Sequence, residues 1–400
     1  MPRSGWRKPV SDRRLSDLVS VGLLTRVFPP EVVDEVIALA GRTQQRSRVL
    51  PARVVAYFTI AMALNADGSY EDVFADLVDG LSWASGWEDA CPSPSPSAIF
   101  QARARLGAAP VEQLFRKTVQ PLARREWEAS WLCGRRLLAI DGTAIDIADT
   151  PVNAAEFGRP GVGRGEQSAY PQARLVAIAE CGTHAVLDAA ISGCGTGETT
   201  LAGELLDRLR PGVVLMADRG FYGFDLWRRA TQSGADLLWR IRKNVKPRHV
   251  ATLTDGTWLA DISPSSGPGW RTVQPLRVRV IDYDVSTAPD TSEKYRLLTT
   301  LTDPDLAPAE ELAAAYHRRW EIESVFDELK THQRGPRVVL RSKSPDLVRQ
   351  EIWGHLCCHY AIRSLMADAA AHSGNDPGRV SFVKALRICR RSLTQGSFSP

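Results

Sequence analysis

The chain has 400 residues, of which 44% are hydrophobic and 24% charged. This composition is typical of a soluble globular protein and excludes disorder over most of the length, and the length predicts two or three domains. The net charge of +4 is uneven, because residues 1–53 carry +5, residues 54–332 carry −8 and residues 333–400 carry +7. Basic ends around an acidic centre indicate a polyanion held at the ends and carboxylate chemistry in the middle, although random surface charge explains the pattern equally well.

Three further features concern the cellular compartment. No uncharged apolar run reaches the roughly 18 residues of a membrane span, so we expect no membrane-spanning segment. The basic N-terminus, MPRSGWRKPVSDRR, has no apolar segment behind it and does not resemble a signal peptide. The seven cysteines are odd in number and lack paired short spacings, which does not fit a disulfide framework. We therefore expect a protein of the reducing cytoplasm.

Helical patterns occupy the N-terminal third of the chain. Between residues 12 and 86, apolar residues recur at helical spacing in segments separated by Pro or Gly. A Pro/Ser-rich stretch at 91–97 follows, and Ser97 can cap a helix over AIFQARARLG that ends at Gly107. Residues 1–130 are therefore predicted to form an all-helical domain.

The periodicity changes after residue 130. The segment RRLLAIDGTAIDIAD reads as a strand, a turn and a strand, and two short strands follow around a turn at Gly182–Thr183. Strands and helices then alternate, which is typical of a mixed α/β layer structure. Residues 243–305 contain several strand patterns and an Asp-Gly turn at 255–256, and predict an inserted β subdomain. Helical patterns return to the end, so we expect an α/β domain over 131–345 and a helical C-terminal region over 346–400.

Two aspartates stand at the ends of apolar runs. Asp141 follows LLAI, and Asp218 follows VVLMA. Ligands of α/β sheets bind near strand ends, where a carboxylate can reach a metal while the strand fixes its position. Taken singly, each aspartate is more simply a turn-forming residue.

A third signal lies in the segment YHRRWEIESVFDELK. Four polar or aromatic side chains share one face of a regular helix, within an arc of about 60° at 100° per residue: Tyr316, Arg319, Glu323 and Lys330. Such a stripe is not a hydrophobic core. A solvated face with i,i+4 ion pairs remains an alternative, because Ile322, Phe326 and Leu329 can supply a separate buried face.

These motifs together resemble one family. The spacing Tyr-x2-Arg-x3-Glu-x6-Lys matches the YREK signature of insertion-sequence-4-type transposases without a gap, and Trp320 is similar to the Trp commonly found after the signature Arg. Asp141-Gly142-Thr143 resembles the first catalytic motif of that family, and DRGFYG at 218–223 resembles the second. The order Asp, Asp, Glu, with separations of 77 and 105 residues, fits a DDE catalytic core. The resemblance covers about residues 45–390.

The resemblance implies a fold and a chemistry. It implies an RNase H-like mixed-sheet core with Asp141 on the first core strand, Asp218 at the end of the fourth and Glu323 on a later helix. These three residues would be the catalytic metal ligands for Mg²⁺, with Mn²⁺ as a substitute. Two metal ions can clamp an in-line displacement at phosphorus, first by water at the element end and then by the freed 3′-OH on target DNA.

The remaining signature residues would contact DNA. By the resemblance, Arg319 and Lys330 neutralise phosphates, and Tyr316 bonds a phosphate or packs against a sugar. Trp320 either stacks on a base or supports the helix. The expected partners are double-stranded DNA, as element terminal repeats and target, and a second copy of the chain in a homodimeric synaptic complex. The expected location is the cytoplasm, associated with the nucleoid.

The recognition element is not determined by the sequence. An arginine cluster in the N-terminal helices is a candidate for reading the element ends through the major groove: Arg42, Arg46, Arg48 and Arg53. The segment QARARLG belongs either to the same surface or to a packed helix.

Several alternatives stay open. An RNase H-like nuclease would cut without joining, and a decayed or truncated copy would only bind DNA, since relatives often continue past a segment such as ALRICRRS with another basic tail. His355 and His359 have a spacing that can bind zinc, but the intervening cysteines point away from them, which favours packing or DNA contact. Other acids lie near the matched carboxylates, although the family match favours Asp141 and Glu323: Asp146, Asp149, Glu321, Asp327 and Glu328.

Overall fold

The computed structural model describes residues 22–44, 50–66, 68–74, 77, 94–161, 168–264, 272–288, 291–335 and 338–394. Its α-helices are α1 (Pro30–Leu39), α2 (Ala52–Leu64), α3 (Pro96–Leu106), α4 (Ala109–Thr118), α5 (Pro151–Phe157), α6 (Glu198–Leu206), α7 (Phe224–Gln232), α8 (Ala309–His317), α9 (Glu321–Asp327), α10 (Pro345–Ser373) and α11 (Phe382–Thr394). Its strands are β1 (Trp131–Leu132), β2 (Arg135–Asp146), β3 (Gln172–Glu180), β4 (Val186–Gly193), β5 (Val213–Ala217), β6 (Asp236–Arg240), β7 (Arg248–Thr252), β8 (Trp258–Ile262), β9 (Leu276–Ala288) and β10 (Thr291–Thr299).

The chain divides into two compact units. The sheet unit comprises Leu122–Ala144 and Arg174–Val325, and the helical unit comprises Met1–Pro121, Ile145–Ala173 and Phe326–Pro400. The helical unit therefore draws on three separate stretches of chain. The domain boundaries predicted at residues 130 and 345 stay predictions.

The strands form one ten-stranded sheet in the order β4-β3-β2-β5-β6-β10-β9-β8-β7, with β1 paired to β2. β2 is parallel to β5, and β5 is parallel to β6. The first five core strands along the chain thus have the spatial order third, second, first, fourth, fifth, as expected of an RNase H-like core. The predicted mixed-sheet α/β fold with flanking helices is confirmed.

The inserted strands continue the core sheet at its β6 edge. β10 pairs antiparallel with β6, and β9, β8 and β7 follow in antiparallel pairs. The hairpin between β7 and β8 turns at the predicted Asp-Gly pair, where Gly256 has φ +81°, a conformation that favours glycine. The insertion is therefore an extension of the same sheet.

β5 is buried because it lies at the centre of the sheet. Val214, Leu215, Met216 and Ala217 are fully buried, as is typical of a parallel strand that is covered on both faces. On one face, Trp227 of α7 meets Trp239 of β6 edge to face, with ring centroids 5.2 Å apart. This packing gives the strand before Asp218 a rigid setting.

The turn predicted at Gly142 is wrong. β2 runs without interruption through Arg135–Asp146 and has β3 and β5 on its two sides. An Asp-Gly pair permits a turn, but this backbone stays extended to Asp146, beyond the last β5 partner at Ile140. Asp141 therefore lies within β2.

The capping residue of α3 differs from the predicted one. The Ser95 hydroxyl accepts a hydrogen bond from the backbone N–H of Ala98, and Pro96 occupies the first turn. Proline is favoured there because its missing N–H has no partner to lose, so the helix begins at Pro96, two residues before the predicted start at Ala98. The predicted end at Gly107 is confirmed, with φ +73°.

α2 and α10 pack closely in the helical unit. Every residue of α2 from Val54 to Leu64 is buried, as expected for a helix that is apolar all round. A Cβ atom added at Gly354 of α10 would lie 2.7 Å from the Thr59 carbonyl oxygen. Glycine at this position therefore allows the two backbones to approach.

No described helix is long and apolar enough to span a membrane.

The uninterrupted helix assumed for the signature stripe is wrong. α8 ends at His317, a 3₁₀ turn covers Arg318–Trp320, α9 covers Glu321–Asp327, and a π-helix covers Glu328–Gln333. A π-helix adds residues per turn, so a constant 100° step does not hold to Lys330. The four signature side chains are therefore not presented as one regular stripe.

Candidate active site

Strand register brings the two aspartates together. Ile140 of β2 and Ala217 of β5 are direct partners in a parallel pair. The residues that follow them, Asp141 and Asp218, therefore emerge at neighbouring positions. This placement agrees with the expected first and fourth core strands.

Arg319 links the first aspartate to the glutamate. Its Nη1 donates to Asp141 Oδ2 at 3.1 Å, and its Nη2 lies 3.7 Å from Glu323 Oε1. The other oxygen of Asp141, Oδ1, accepts a hydrogen bond of 2.8 Å from the backbone N–H of Gly142. A single buried guanidinium, 5% exposed, therefore lies between two of the three predicted carboxylates.

The other signature residues have contrasting environments. Tyr316 is 1% exposed, and its hydroxyl donates to the Ala217 carbonyl at 3.3 Å, just before Asp218. Trp320 is 49% exposed, and the Arg319 guanidinium lies 4.8 Å from its ring centroid. Lys330 lies in the π-helix and belongs to the helical unit. In this conformation Tyr316 is a core residue and Trp320 a surface residue.

Burial and neighbouring negative charge raise the pKa of two of the carboxylates, Asp141 and Glu323. Burial raises the pKa of Asp141, with a further contribution from the negative charge of Asp218, while Gly142 and Arg319 oppose the rise. Burial also raises the pKa of Glu323, together with the charges of Asp141 and Asp218 and against Arg319. Burial and clustered negative charge therefore disfavour the ionised forms of Asp141 and Glu323, and a cation bound beside them would favour those forms.

Sequence reasoning missed one acid beside this group. A Cβ atom added at Gly142 would lie 2.6 Å from the Glu198 Cδ atom, so the glycine leaves room for the Glu198 side chain next to Asp141. Glu198 is the first residue of α6. The glycine-containing turn GCGTGE before this helix is the signal that marks an acid at a helix start.

The neighbouring acids that the sequence left as alternatives have other partners. Glu321 Oε2 lies 3.4 Å from His184 Nε2, and Asp327 Oδ2 lies 3.2 Å from His332 Nε2. Asp146 accepts a hydrogen bond from Gln172, Asp149 pairs with Arg159, and Glu328 pairs with Arg363. These contacts support Asp141 and Glu323 as the site residues.

His355 and His359, whose spacing can bind zinc, are packed inside the helical unit. His355 is buried beside Gln333, and His359 is fully buried with Nε2 2.9 Å from Glu328 Oε2. The adjacent Cys357 and Cys358 are buried as well. Both histidines therefore belong to the core of the helical unit.

The carboxylates fit a hard divalent cation by chemistry. Mg²⁺ prefers oxygen ligands, which Asp141, Asp218 and Glu323 supply. In the conformation described, the guanidinium of Arg319 provides the positive charge between Asp141 and Glu323. Within the described ranges, no group of three or more His, Cys, Asp or Glu side chains is arranged to hold a metal ion.

Comparison with known proteins identifies the family. A family model described as the transposase DDE domain matches residues 132–361, and one described as the insertion element 4 transposase N-terminal region matches residues 18–116. The chain belongs to the IS4-type DDE transposases. It is a DNA transposase, as the resemblance implied.

Two relatives from Escherichia coli agree with this assignment. The transposase InsG for insertion sequence element IS4 of Escherichia coli (strain K12) is 30% identical over 367 residues, which cover 91% of this chain and 81% of InsG. The putative transposase InsZ of the same strain is 31% identical over 232 residues, which cover 58% of this chain and 74% of InsZ. Among solved structures, a piggyBac transposase synaptic complex with hairpin DNA has a TM-score of 0.48 and 13% identity, over 97% of this chain and 82% of that chain.

The N-terminal match gives the helical unit of this transposase a family counterpart. It covers α1, α2 and α3 and most of α4. Of the predicted arginine cluster, Arg46 and Arg48 lie outside the described residues. Arg42 is exposed, whereas Arg53 pairs with Asp34. The choice of recognition helix stays a prediction.

Proposed function

We propose that Asp141, Asp218 and Glu323 form one metal-dependent site that cleaves the element ends and joins them to target DNA. The register of β2 and β5 carries the proposal, because it places Asp141 beside Asp218. The contacts of Arg319 with Asp141 and Glu323 add the third acid. Polynucleotidyl transfer is the activity expected of a DDE transposase.

The metal we propose is Mg²⁺, with Mn²⁺ as a substitute. When bound, such ions activate the attacking hydroxyl and stabilise the leaving oxygen. The three carboxylates would hold the ion, and the buried β5 strand fixes the position of Asp218, which directly follows it. Arg319 keeps Asp141 and Glu323 close before loading.

The signature residues divide into two roles. We assign Tyr316 and Arg319 to positioning, since both are buried beside the carboxylates. We assign Trp320 and Lys330 to DNA, Trp320 because half of its surface is exposed and Lys330 because of its charge. The DNA is double-stranded and comprises the terminal repeats of the element and the target. Two copies of the chain act as a homodimer on the two element ends. The protein works in the cytoplasm, in association with the nucleoid.

A two-plasmid assay tests the proposal. One plasmid carries the terminal repeats and the second serves as target, and both are incubated with the full chain and Mg²⁺. We expect wild type to cut and join, whereas Asp218→Asn and Glu323→Gln lose both products by at least about 100-fold, a loss typical of an electrostatic catalytic group. Asp225→Asn is the matched control, because Asp225 is an exposed aspartate on the adjacent α7.

The assay has two contradicting outcomes. End cleavage without joined products would indicate a nuclease. Binding to the repeats without cleavage, in Mg²⁺ and in Mn²⁺, would indicate a protein that acts only by binding.

A further inference from the structure

The helical unit contains a cavity apart from the carboxylates. Its volume is about 500 Å³. This lies within the range of about 300–1,000 Å³ that is usual for small-molecule sites. The described residues that line it come from α3, from the start of α10 and from the segments before them: Tyr70, Pro96, Ser97, Phe100, Arg103, Arg341, Ser342, Lys343 and Leu347.

The cavity is positively charged. Arg103 is fully buried and donates to neutral acceptors, namely the side chains of Gln350, Tyr70 and Ser342. Arg341 donates to the carbonyls of Gly68 and Ala66. None of these acceptors is a carboxylate, so neither guanidinium has a direct ion pair among the described residues.

Acidic groups are scarce around these cations. No Asp or Glu is among the described residues that line the cavity. Glu351 is buried and accepts hydrogen bonds from the Oγ and N–H of Ser342 and, at 3.3 Å, from the backbone N–H of Arg341, so it offsets part of this positive charge. Lys343 is exposed at the lining. Buried positive charge with too few acids favours an anionic ligand.

An aromatic platform stands beside the charge. Phe100 is 44% exposed, although it is a large apolar side chain. Tyr70 is held by two guanidiniums, with the Arg103 and Arg341 Cζ atoms 5.8 Å and 5.4 Å from its ring centroid. A free aromatic face next to cations suits a base joined to a phosphate.

We propose that this cavity takes one unpaired nucleotide of a DNA strand, with the base against Phe100 and the phosphate at Lys343 above Arg103 and Arg341. The inference rests on the proposed function only in taking DNA as the partner. In this proposal the segment QARARLG forms part of the nucleotide site, and its buried Arg103 contributes positive charge beneath the phosphate.

Short oligonucleotides test the base contact. The full chain is titrated in EDTA with an oligothymidylate and with an abasic sugar-phosphate strand of equal length. We expect wild type to prefer the base-bearing strand by about fivefold or more, because stacking contributes roughly 1–3 kcal/mol per base. Phe100→Ala should remove most of that preference, whereas Gln101→Ala, at an exposed neighbour outside the cavity lining, should keep it.

The salt dependence of binding tests the phosphate contact. We expect Lys343→Gln to lower the slope of log K against log salt for the oligothymidylate by about 0.7, the value for one lost contact on a single strand. Lys117→Gln is the control for net charge, because Lys117 already pairs with Glu35. Equal slopes for Lys343→Gln and wild type would overturn the proposal, as would an unchanged base preference in Phe100→Ala.

The test is independent of catalysis. EDTA prevents metal-dependent cleavage, so the absence of any base preference in wild type would refute the cavity proposal and leave the carboxylate site untouched. Conversely, failure to cut or join DNA, with the base preference intact, would refute only the proposed reaction. Thermal unfolding of each variant confirms that the chain remains folded.

Discussion

Arg319 supplies the local positive charge of the candidate active site. It lies between Asp141 and Glu323, and its burial protects these contacts from solvent. Burial is the main reason that the pKa of both acids is raised, with a contribution from neighbouring carboxylates, and the guanidinium opposes this rise. A divalent cation bound as proposed at the same carboxylates would compete with this arginine.

Removal of the arginine is therefore expected to strengthen metal binding. Arg319→Gln should be destabilised without metal, because two acids lose their counter-ion, and Mg²⁺ should stabilise it more than it stabilises wild type. A tenfold gain in affinity corresponds to about 1.4 kcal/mol at saturating metal. Thermal unfolding with and without Mg²⁺ measures the difference. An equal or smaller Mg²⁺ effect in the variant would show that Arg319 does not compete.

Gly142 leaves the space that Glu198 occupies. Gly142→Ala should lower the free energy of unfolding by only about 1 kcal/mol, because the Glu198 atoms in its way are the far end of a flexible, partly exposed side chain that can shift. In a Glu198→Ala background, the same substitution should cost less than about 0.5 kcal/mol, because the clashing atoms are absent. Denaturant unfolding of the four proteins measures this coupling. Strictly additive effects would mean that Glu198 is not the contact that Gly142 accommodates.

At the scale of elements, buried polar groups join the π-helix to α10. Glu328 accepts hydrogen bonds from His359 and Arg363, at 2.9 Å and 3.0 Å. Gln333 donates to the His355 carbonyl at 3.0 Å. These contacts fix the helix that carries Lys330, and a buried ion pair of this kind is strongly destabilising to break.

His355 makes the helical unit sensitive to acid. Burial lowers the pKa of His355 to about 3, with help from the charges of Arg334 and Arg341. Because the unfolded chain takes up the proton first, this contribution to stability is complete above about pH 6.5 and is lost as pH falls toward 3.

The expected effect is measurable by unfolding at two pH values. Between pH 7 and pH 5, wild type should lose about 2 kcal/mol more than His355→Gln, which cannot take up the proton. His372→Gln, at an exposed position near the end of the same helix, is the matched control and should behave as wild type does. Equal losses in wild type and His355→Gln would contradict the predicted sensitivity.

Local sequence signals predicted most of the helices and strands. Three local features, however, depend on other parts of the same chain or on an adjacent residue. The Asp-Gly pair at 141–142 permits a turn, yet it lies inside β2, a strand between β3 and β5 that continues to Asp146. Ser95 and Ser97 have the same capping chemistry, and Pro96 selects Ser95. The π-helix is not visible in periodicity, because Glu328, which fixes it to α10, finds its partners more than 30 residues away.

At the scale of the molecule, the uneven charge along the sequence corresponds to the division into two units. The basic segments 1–53 and 333–400 lie at opposite ends of the chain, yet both belong to the helical unit. The predicted carboxylates all belong to the sheet unit. Composition alone could not distinguish this division from random surface charge. The motifs identified the acids, whereas the contacts of Arg319 and the proximity of Glu198 required the fold.

The most direct test of the central claim is Mn²⁺ binding to the full chain with element-end DNA present, measured by calorimetry. The claim is that Asp141, Asp218 and Glu323 form one cation site. Wild type and Asp225→Asn should bind alike, whereas Asp141→Asn, Asp218→Asn and Glu323→Gln should each weaken binding by at least about tenfold, or 1.4 kcal/mol. Unchanged affinity in all three carboxylate variants would contradict the claim.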